Sequence, residues 1–449
     1  MNTKKRQMHL NLFVLNTGHH EASWRHPDTL PGAVTDIRYY TKLARMAEQA
    51  KMDSLFIADA LVLTPAIKYK IGGALEPLTL LSALAVATER IGLIGTVSTT
   101  YSEPFNVARM FASLDHISQG RAGWNSVTSV GDATALNFGL ERQPEHGDRY
   151  ERAKEFLDVL KGLWDCWHDD ARVADKQTGL YTDYDHKISA LNHKGKYFSV
   201  SGPLNISRSP QGHPVLVQAG SSDSGKELAA ETAEVVFTAQ NTIAGGRAFY
   251  ADLKGRMKKY GRDRNELKIL PGFSPIIGAT EAEAREKEAM LNELTTPAFG
   301  LIRLSNSLEI DLFQYPLDGP VPLSDLPSLD QIKGQKARFQ MFVDMVRKEN
   351  LTIRQLILRT ASARGHYTMV GTAEQVADEM EQWLLHEAAD GFNVMPPYFP
   401  GGLEDFANQV IPILQERGLF RTEYTGTTLR EHMGLKRPEV KQAQPSFTG

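Results

Sequence analysis

The sequence predicts an α/β fold in which eight parallel strands close into a (β/α)8 barrel. Three observations carry this. Short apolar runs alternate with helical patterns along almost the whole chain, and eight of the runs are strand candidates. Such alternation builds a parallel sheet, and eight units are the number that closes one. No Gly-x-Gly-x-x-Gly turn follows the first strand, whereas an open doubly wound sheet would favour one there. Finally, residues 120–129 (GRAGWNSVTS) read as a buried strand that ends on Asn125, Thr128 and Ser129. The carboxyl ends of barrel strands form the active-site face, so small polar side chains collecting there point to chemistry. Length alone would allow two or three domains for 449 residues, but barrels often exceed that prior, and a single domain over 1–449 is expected.

The elements follow in order. Strands are expected over 9–16, 54–58, 91–98, 122–127, 214–219, 234–238, 267–272 and 391–395. A helix over 36–51 puts Tyr40, Leu43, Ala44 and Ala47 on one face, and another covers 78–88. Pro104 opens the next helix, where its missing N–H costs nothing, and Val107, Phe111, Leu114 and Ile117 then recur at helical spacing. Further helices are expected over 148–167 and 403–417. Two stretches exceed a minimal barrel: 168–212 and 276–360, the latter with a Pro-rich patch at 315–322. They follow strands four and seven, which puts both on the active-site face, and long loops there are often lids. The stretch 276–360 is the candidate lid, and 438–449 reads as a flexible tail.

Composition removes several classes of function. The chain is 41% hydrophobic and 23% charged, with net charge −4 and basic residues spread throughout. A nucleic-acid binder would show a basic stripe. No apolar run approaches the ~18 residues of a membrane span, and the first residues carry no apolar stretch of a secretion signal. The single cysteine, Cys166, cannot form an intramolecular disulfide and reads as a core residue. A reducing compartment, the cytoplasm, is expected. Paired cysteines, a His-Glu-x-x-His helix and an aspartate cluster are all missing, so no metal is expected. The lack of a Walker loop and of a Gly-x-Ser-x-Gly elbow argues against phosphoryl transfer and serine hydrolysis.

The residues left for chemistry sit at strand ends. Asp59 closes strand two, either as an acceptor for a ligand N–H or as a cap or ion-pair partner in the barrel mouth. Thr96, Ser98, Thr99 and Thr100 crowd the end of strand three; most serve packing, and one or two can face the cavity. Gly220, Ser221 and Ser222 follow strand five and open a helix. Free N–H groups and hydroxyls there make either an anion site or an ordinary N-cap. Arg149 and Tyr150 either reach the same anion or form an ordinary helix start. His19 and His20 end strand one, as a polar pocket lining or as loop residues. The residues alone stop at a barrel enzyme with a phosphate-bearing ligand.

Beyond that point the chain resembles the flavin-dependent monooxygenases of the bacterial luciferase-like superfamily. It resembles the branch of nitrilotriacetate monooxygenase component A, dibenzothiophene-sulfone monooxygenase and long-chain alkane monooxygenase. The resemblance spans roughly 7–435 and rests on WRHP at 24–27, FIAD at 56–59, SLDHISQGR at 113–121, WNSVTS at 124–129, and EHGDRY at 145–150. Later matches are NHKGKYF at 192–198, RSPQG at 208–212, QAGS at 218–221, and AADGF at 388–392. The resemblance implies a TIM barrel of the luciferase-like type that binds FMN, as FMNH2, on its carboxyl-end face. It puts Asp59 and Thr96 near the isoalloxazine, with Asn125, Thr128 and Ser129 lining the same pocket. His146, Tyr150 and Ser222, beside Gly220 and Ser221, are implied at the ribityl chain or phosphate. His19 matches a first-strand histidine near the substrate, and a one-residue gap leaves His20 as the other choice. Implied chemistry is activation of O2, the co-substrate, as a flavin (hydro)peroxide at C4a or N5, with the protein excluding water. A separate NAD(P)H:flavin reductase would supply FMNH2, and a homodimer or homotetramer is the family expectation. The wording at 102–105 and 120–124 resembles members that handle modified cysteines and thioethers, and this resemblance implies an organosulfur or amine substrate cleaved at a C–S or C–N bond. An F420-dependent dehydrogenase on the same barrel, or a non-catalytic flavin-binding protein, are the alternatives.

Overall fold

Each barrel strand alternates between a face toward the helices and a face toward the barrel axis, because successive strand side chains point to opposite sides. The computed structural model of the chain describes residues 6–332 and 336–440. The strands in chain order are β1 His9–Val14, β2 Ser54–Ile57, β3 Gly92–Ser98, β4 Ala122–Val127, β5 His193–Lys194, β6 Ser199–Val200, β7 Val215–Ala219, β8 Val235–Thr238, β9 Lys268–Ile277, β10 Tyr367–Gly371 and β11 Gly391–Val394. Parallel pairing runs β1-β2-β3-β4-β7-β8-β9-β11 and back to β1, so eight strands close a ring. The closing seam sets His9 opposite Gly391 and Leu12 opposite Val394. The expected barrel is thus the observed one.

Period two sorts the side chains. Leu10, Leu12, Leu55, Leu93, Trp124 and Leu216 join the large outer core with helix residues such as Leu43, Leu81, Phe111 and Phe156. Phe13, Phe56, Ile94, Val215, Val217, Val235, Leu270 and Met395 form a separate cluster inside the ring. Its lower end is stopped by Leu429, Met433 and Leu435 from the C-terminal segment. Cβ atoms at Gly92 and Gly123 would meet the Leu429 side chain at 2.4 and 3.1 Å, so these two glycines make room for the plug.

Two features depart from the expected elements. Strand β9 continues to Ile277, past Pro271, Gly272 and Pro275. It can do so because it changes partners: Lys268–Pro271 face β8, Gly272 and Phe273 face β11, and Phe273–Ile277 face β10. No single ladder has to survive all three breakers. Strand β10 itself was not expected; it is short, half-buried, and pairs outside the ring with the overhang of β9.

Between β9 and β10 lie the helices Glu281–Glu293, Pro297–Leu308, Lys336–Glu349 and Ile353–Ala361. The last three bury their own core around Leu304, Leu308, Phe342, Val346 and Leu356. Residues 168–212 carry the β5–β6 hairpin, whose turn is held by Glu155 accepting from the N–H groups of Tyr197 (3.0 Å) and Phe198 (2.9 Å). Of the expected tail, 441–449 lies outside the described residues, and the Pro438 carbonyl accepts from Arg208 at 2.7 Å. Among the described residues no helix is long and apolar enough to cross a membrane.

Candidate active site

The inward side chains near the carboxyl ends of β1, β2 and β8 are aromatic. Phe13 meets Phe56 and Phe237 edge-on, with ring centroids 4.7 and 5.5 Å apart. His366, just before β10, stacks on Phe237 at 4.9 Å with the planes nearly parallel. Beside this floor, Thr96 and Asn125 stand opposite one another on β3 and β4. The Thr96 hydroxyl donates to the Ile57 carbonyl (2.8 Å) and accepts from Asn125 Nδ2 (2.9 Å). That fixes the amide orientation and leaves Asn125 Oδ1 buried without a partner among the described residues. A buried acceptor is rarely left unsatisfied, so this atom is free to accept from a water or from a ligand donor.

The rim after β3 and β4 is tied together. Ser129 donates to Ser98 at 2.8 Å, and the Thr100 hydroxyl donates to the Thr128 carbonyl at 2.7 Å. Ser129 holds a left-handed backbone (φ +42°), an uncommon state for a residue with a side chain. Buried Arg149 braces that turn, donating from Nη1 to the carbonyls of Ser129 and Thr128. That contact engages Nη1, and Nε has no partner among the described residues.

At the neighbouring strand end, after β7, Ser222 caps the helix Asp223–Thr232, its Oγ accepting from the Gly225 N–H at 3.1 Å. Tyr150, on the helix His146–Trp164, brings its hydroxyl to 3.4 Å from the same Oγ. A Cβ on Gly225 would sit 3.1 Å from both hydroxyls, and one on Gly220 3.7 Å from Tyr150 OH. The absence of side chains therefore keeps a small cradle open over the first turn, where N–H groups lack intrahelical partners. Asp223, the acid nearest in sequence, is 84% exposed and turned to Arg256 at 2.6 Å. His146 is exposed with its ring 4.8 Å from that of Tyr150. Burial, then the charges of Arg149 and Lys336, push its pKa down.

The two histidines after β1 face different surroundings. His19 Nε2 lies 2.8 Å from the Phe13 carbonyl, so this nitrogen carries the proton, and Nδ1 accepts from Arg364 Nη2 at 3.0 Å. Burial and the Arg364 charge hold His19 well below its ordinary pKa. It is a neutral imidazole with both nitrogens in use. His20 Nδ1 accepts from the Ala22 N–H at 3.1 Å, and burial pushes its pKa down to about 4. Asp59 is exposed at the end of β2 and bonds only its neighbour, the Ala60 N–H, at 2.8 Å. Partial desolvation and Glu76 raise its pKa.

The structure thus joins Thr96 with Asn125, Ser129 with Ser98, and Tyr150 with Ser222 and His146. Asp59 and Ser221 have no side-chain bond to the other candidates, and Thr128 takes part through its carbonyl. The sequence reading passed over Phe237, His366 and three arginines from between β9 and β10. The backbone of Arg364, left-handed at φ +52°, is a structural sign that no sequence pattern carries. Among the described residues no cluster of acids, histidines or cysteines could hold a metal ion. An aromatic floor, a neutral polar wall and an anion cradle suit a bound conjugated cofactor with a phosphate tail, which does the electron chemistry itself.

The class of protein defined by this barrel is a flavin-dependent monooxygenase. Residues 13–389 match the profile of the luciferase-like monooxygenases, and the chain belongs to that family. It is 52% identical to N-acetyl-S-(2-succino)cysteine monooxygenase of Bacillus subtilis (strain 168), over 99% of this chain and 100% of the relative. Nitrilotriacetate monooxygenase component A of Aminobacter aminovorans is 51% identical, over 98% and 99%. Among solved structures, riboflavin lyase with modified FMN and riboflavin superposes with a TM-score of 0.85 at 31% identity, covering 96% of each chain. The oxygenase reading thereby stands over the dehydrogenase and the non-catalytic alternatives.

Proposed function

We propose that the chain is the oxygenase component of a two-component system that takes FMNH2 from a separate NAD(P)H:flavin reductase. It uses O2 to oxygenate a small organosulfur or amine compound and cleaves its C–S or C–N bond. One oxygen atom enters the substrate and the other leaves as water. The name of one relative contains a thioether and that of the other a tertiary amine, which is the support for those two bond types. The working state is a cytoplasmic homodimer or homotetramer.

The observation that carries the reading is the cradle of Tyr150 and Ser222 after β7, one strand over from Asn125, whose Oδ1 has no partner among the described residues. The residues present fit FMN. Ser222, Ser221, Gly220 and Tyr150 would hold the phosphate, with His146 above the ribityl chain. Thr96, Asn125, Thr128, Ser129 and Asp59 would surround the ring, with Asn125 Oδ1 as the acceptor for a ring N–H. Bound in reduced form, FMN supplies the two electrons that let dioxygen react. The aromatic floor of Phe13, Phe56 and Phe237 keeps water from that face. His19, neutral and donating to Phe13, orients Arg364 toward the substrate side rather than moving a proton.

The test is incubation of the purified protein with FMN, NADH, a generic flavin reductase and a panel of thioethers and amines under 18O2. Substrate-dependent oxygen uptake with one labelled atom in the product is expected. A panel that leaves O2 uptake unchanged, together with no FMNH2 binding in titration, overturns the reading.

A further inference from the structure

Three guanidinium groups gather where the chain between β9 and β10 meets the turn after β1. Arg303 lies on the helix Pro297–Leu308, Arg338 on Lys336–Glu349, and Arg364 just after Ile353–Ala361. Arg303 is held: Nε lies 2.8 Å from Glu21 Oε2 and Nη2 donates to Thr360 Oγ1 at 2.7 Å, yet its Nη1 is buried and unpartnered. Arg364 has one partner among the described residues, His19 Nδ1. Arg338 has no hydrogen bond or ion pair to any described residue, and its Nε is buried.

The charges do not balance. Among the described residues Glu21 pairs with Arg303 alone, and burial pulls its carboxyl upward. The neighbouring His19 and His366 are held neutral, and Lys70 at the edge adds a further positive group. Desolvation, then repulsion from Arg338 and Arg303, pulls Arg364 down to about 9. Folded proteins rarely keep like charges together away from water unless something neutralises them. Guanidinium forks match carboxylates in pairs of parallel hydrogen bonds. Three guanidinium groups against one carboxylate leave about two charges uncompensated, and the charges of Arg338 and Arg364 both bear on His366, which stacks on Phe237.

We propose that Arg303, Arg338 and Arg364 form the subsite that recognises a substrate bearing two or more carboxylates, holding its C–S or C–N bond over the aromatic floor. This deepens the oxygenase reading and rests on it for the bond that reacts; the binding itself does not. Arg303 is the fixed member, tethered to Glu21, and Arg338 and Arg364 close on the anion. His19 is a positioning residue for Arg364.

Tricarballylate, a plain tricarboxylate, is the probe, titrated calorimetrically into the full-length protein without flavin. The parent should bind it saturably, and Arg338→Met should weaken binding at least tenfold, the loss of one charge-assisted contact. Because Arg338 has no partner among the described residues, that variant should melt at the same temperature as the parent or higher. Arg338→Lys should fall between, and Arg285→Ala, a surface change on the helix Glu281–Glu293, should bind like the parent. Absence of saturable binding to the parent overturns the proposal, as does equal binding by Arg338→Met. A fall in melting temperature with binding retained makes the arginine structural. Weakened binding of FMN or inorganic phosphate with tricarballylate unaffected assigns the cluster to a phosphate. No flavin is present in the titration, so failure of the oxygenase reading leaves this result untouched, and the converse holds too.

Discussion

Tyr150→Phe isolates the phosphate half of the site. The ring stays in place, half-buried beside His146, and among the described residues the only hydrogen bond removed is the weak one to Ser222 at 3.4 Å. The folded protein therefore loses almost nothing. A hydrogen bond to a charged group contributes about 1.5–3 kcal/mol, and about 1.4 kcal/mol is a tenfold change in affinity. Loss of the hydroxyl should raise the Kd for reduced FMN by about tenfold to 150-fold. Ser222 needs a subtler change, because its Oγ also caps the helix through the Gly225 N–H. Ser222→Ala would add a capping loss of about 1 kcal/mol, whereas glycine costs the cap only a few tenths. Ser222→Gly should thus weaken FMN binding with an unchanged melting temperature. Both hydroxyls reach one group, so the double variant should lose less than the two single losses combined. Anaerobic titration with dithionite-reduced FMN measures all three. Affinities within twofold of the parent for Tyr150→Phe and Ser222→Gly would refute the cradle as the phosphate site.

His19→Ala should cut turnover at least tenfold, the scale of losing an acceptor for a charged donor, with FMN affinity retained. If His20→Ala does this instead, His20 is the substrate-side histidine. His19 is already neutral, so the pH profile of kcat/KM should show no inflection belonging to it between about pH 6 and 8; an inflection abolished by His19→Ala would contradict the assignment. Asp53, at the foot of β2, accepts from the Leu10 N–H at 2.7 Å and pairs with His9 and Arg421. Burial opposes its charge, but Arg421 and His9 win and hold its carboxyl below the ordinary range. Its contribution is therefore present above the unfolded value near 4 and is lost as pH falls through the lower folded one. Asp53→Asn should cost about 3–5 kcal/mol at pH 7 in urea unfolding, a gap that narrows below about pH 4; a pH-independent difference would show that charge is not the cause.

The barrel was legible because its strands are apolar runs that period and flanking turns delimit, from residues 9–16 through 391–395. Strand β9 was cut short at Gly272 because Pro and Gly read as breakers; a single chain cannot announce that its ladder changes hands midway. Strand β10 escaped notice since YTMVG is half-buried and lacks a clean alternation. At the site, Thr96, Asn125, Tyr150 and Ser222 could be found from strand ends and a helix start. Arg303, Arg338 and Arg364 could not, because only the packing of three helices brings them together. The contacts of Arg149 with the Ser129 and Thr128 carbonyls were equally hidden, because they depend on backbone direction.

The ring seam also governs how this chain is made. His9 pairs with Gly391, and Leu429 stops the lower opening. During synthesis the first strand therefore waits with one edge bare until nearly the entire polypeptide has left the ribosome. Contacts so distant in sequence form slowly and expose sticky surface meanwhile. Nascent-chain capture by chaperones should persist until β11 emerges, and removal of the segment from Leu429 onward would leave the finished cylinder without its stopper.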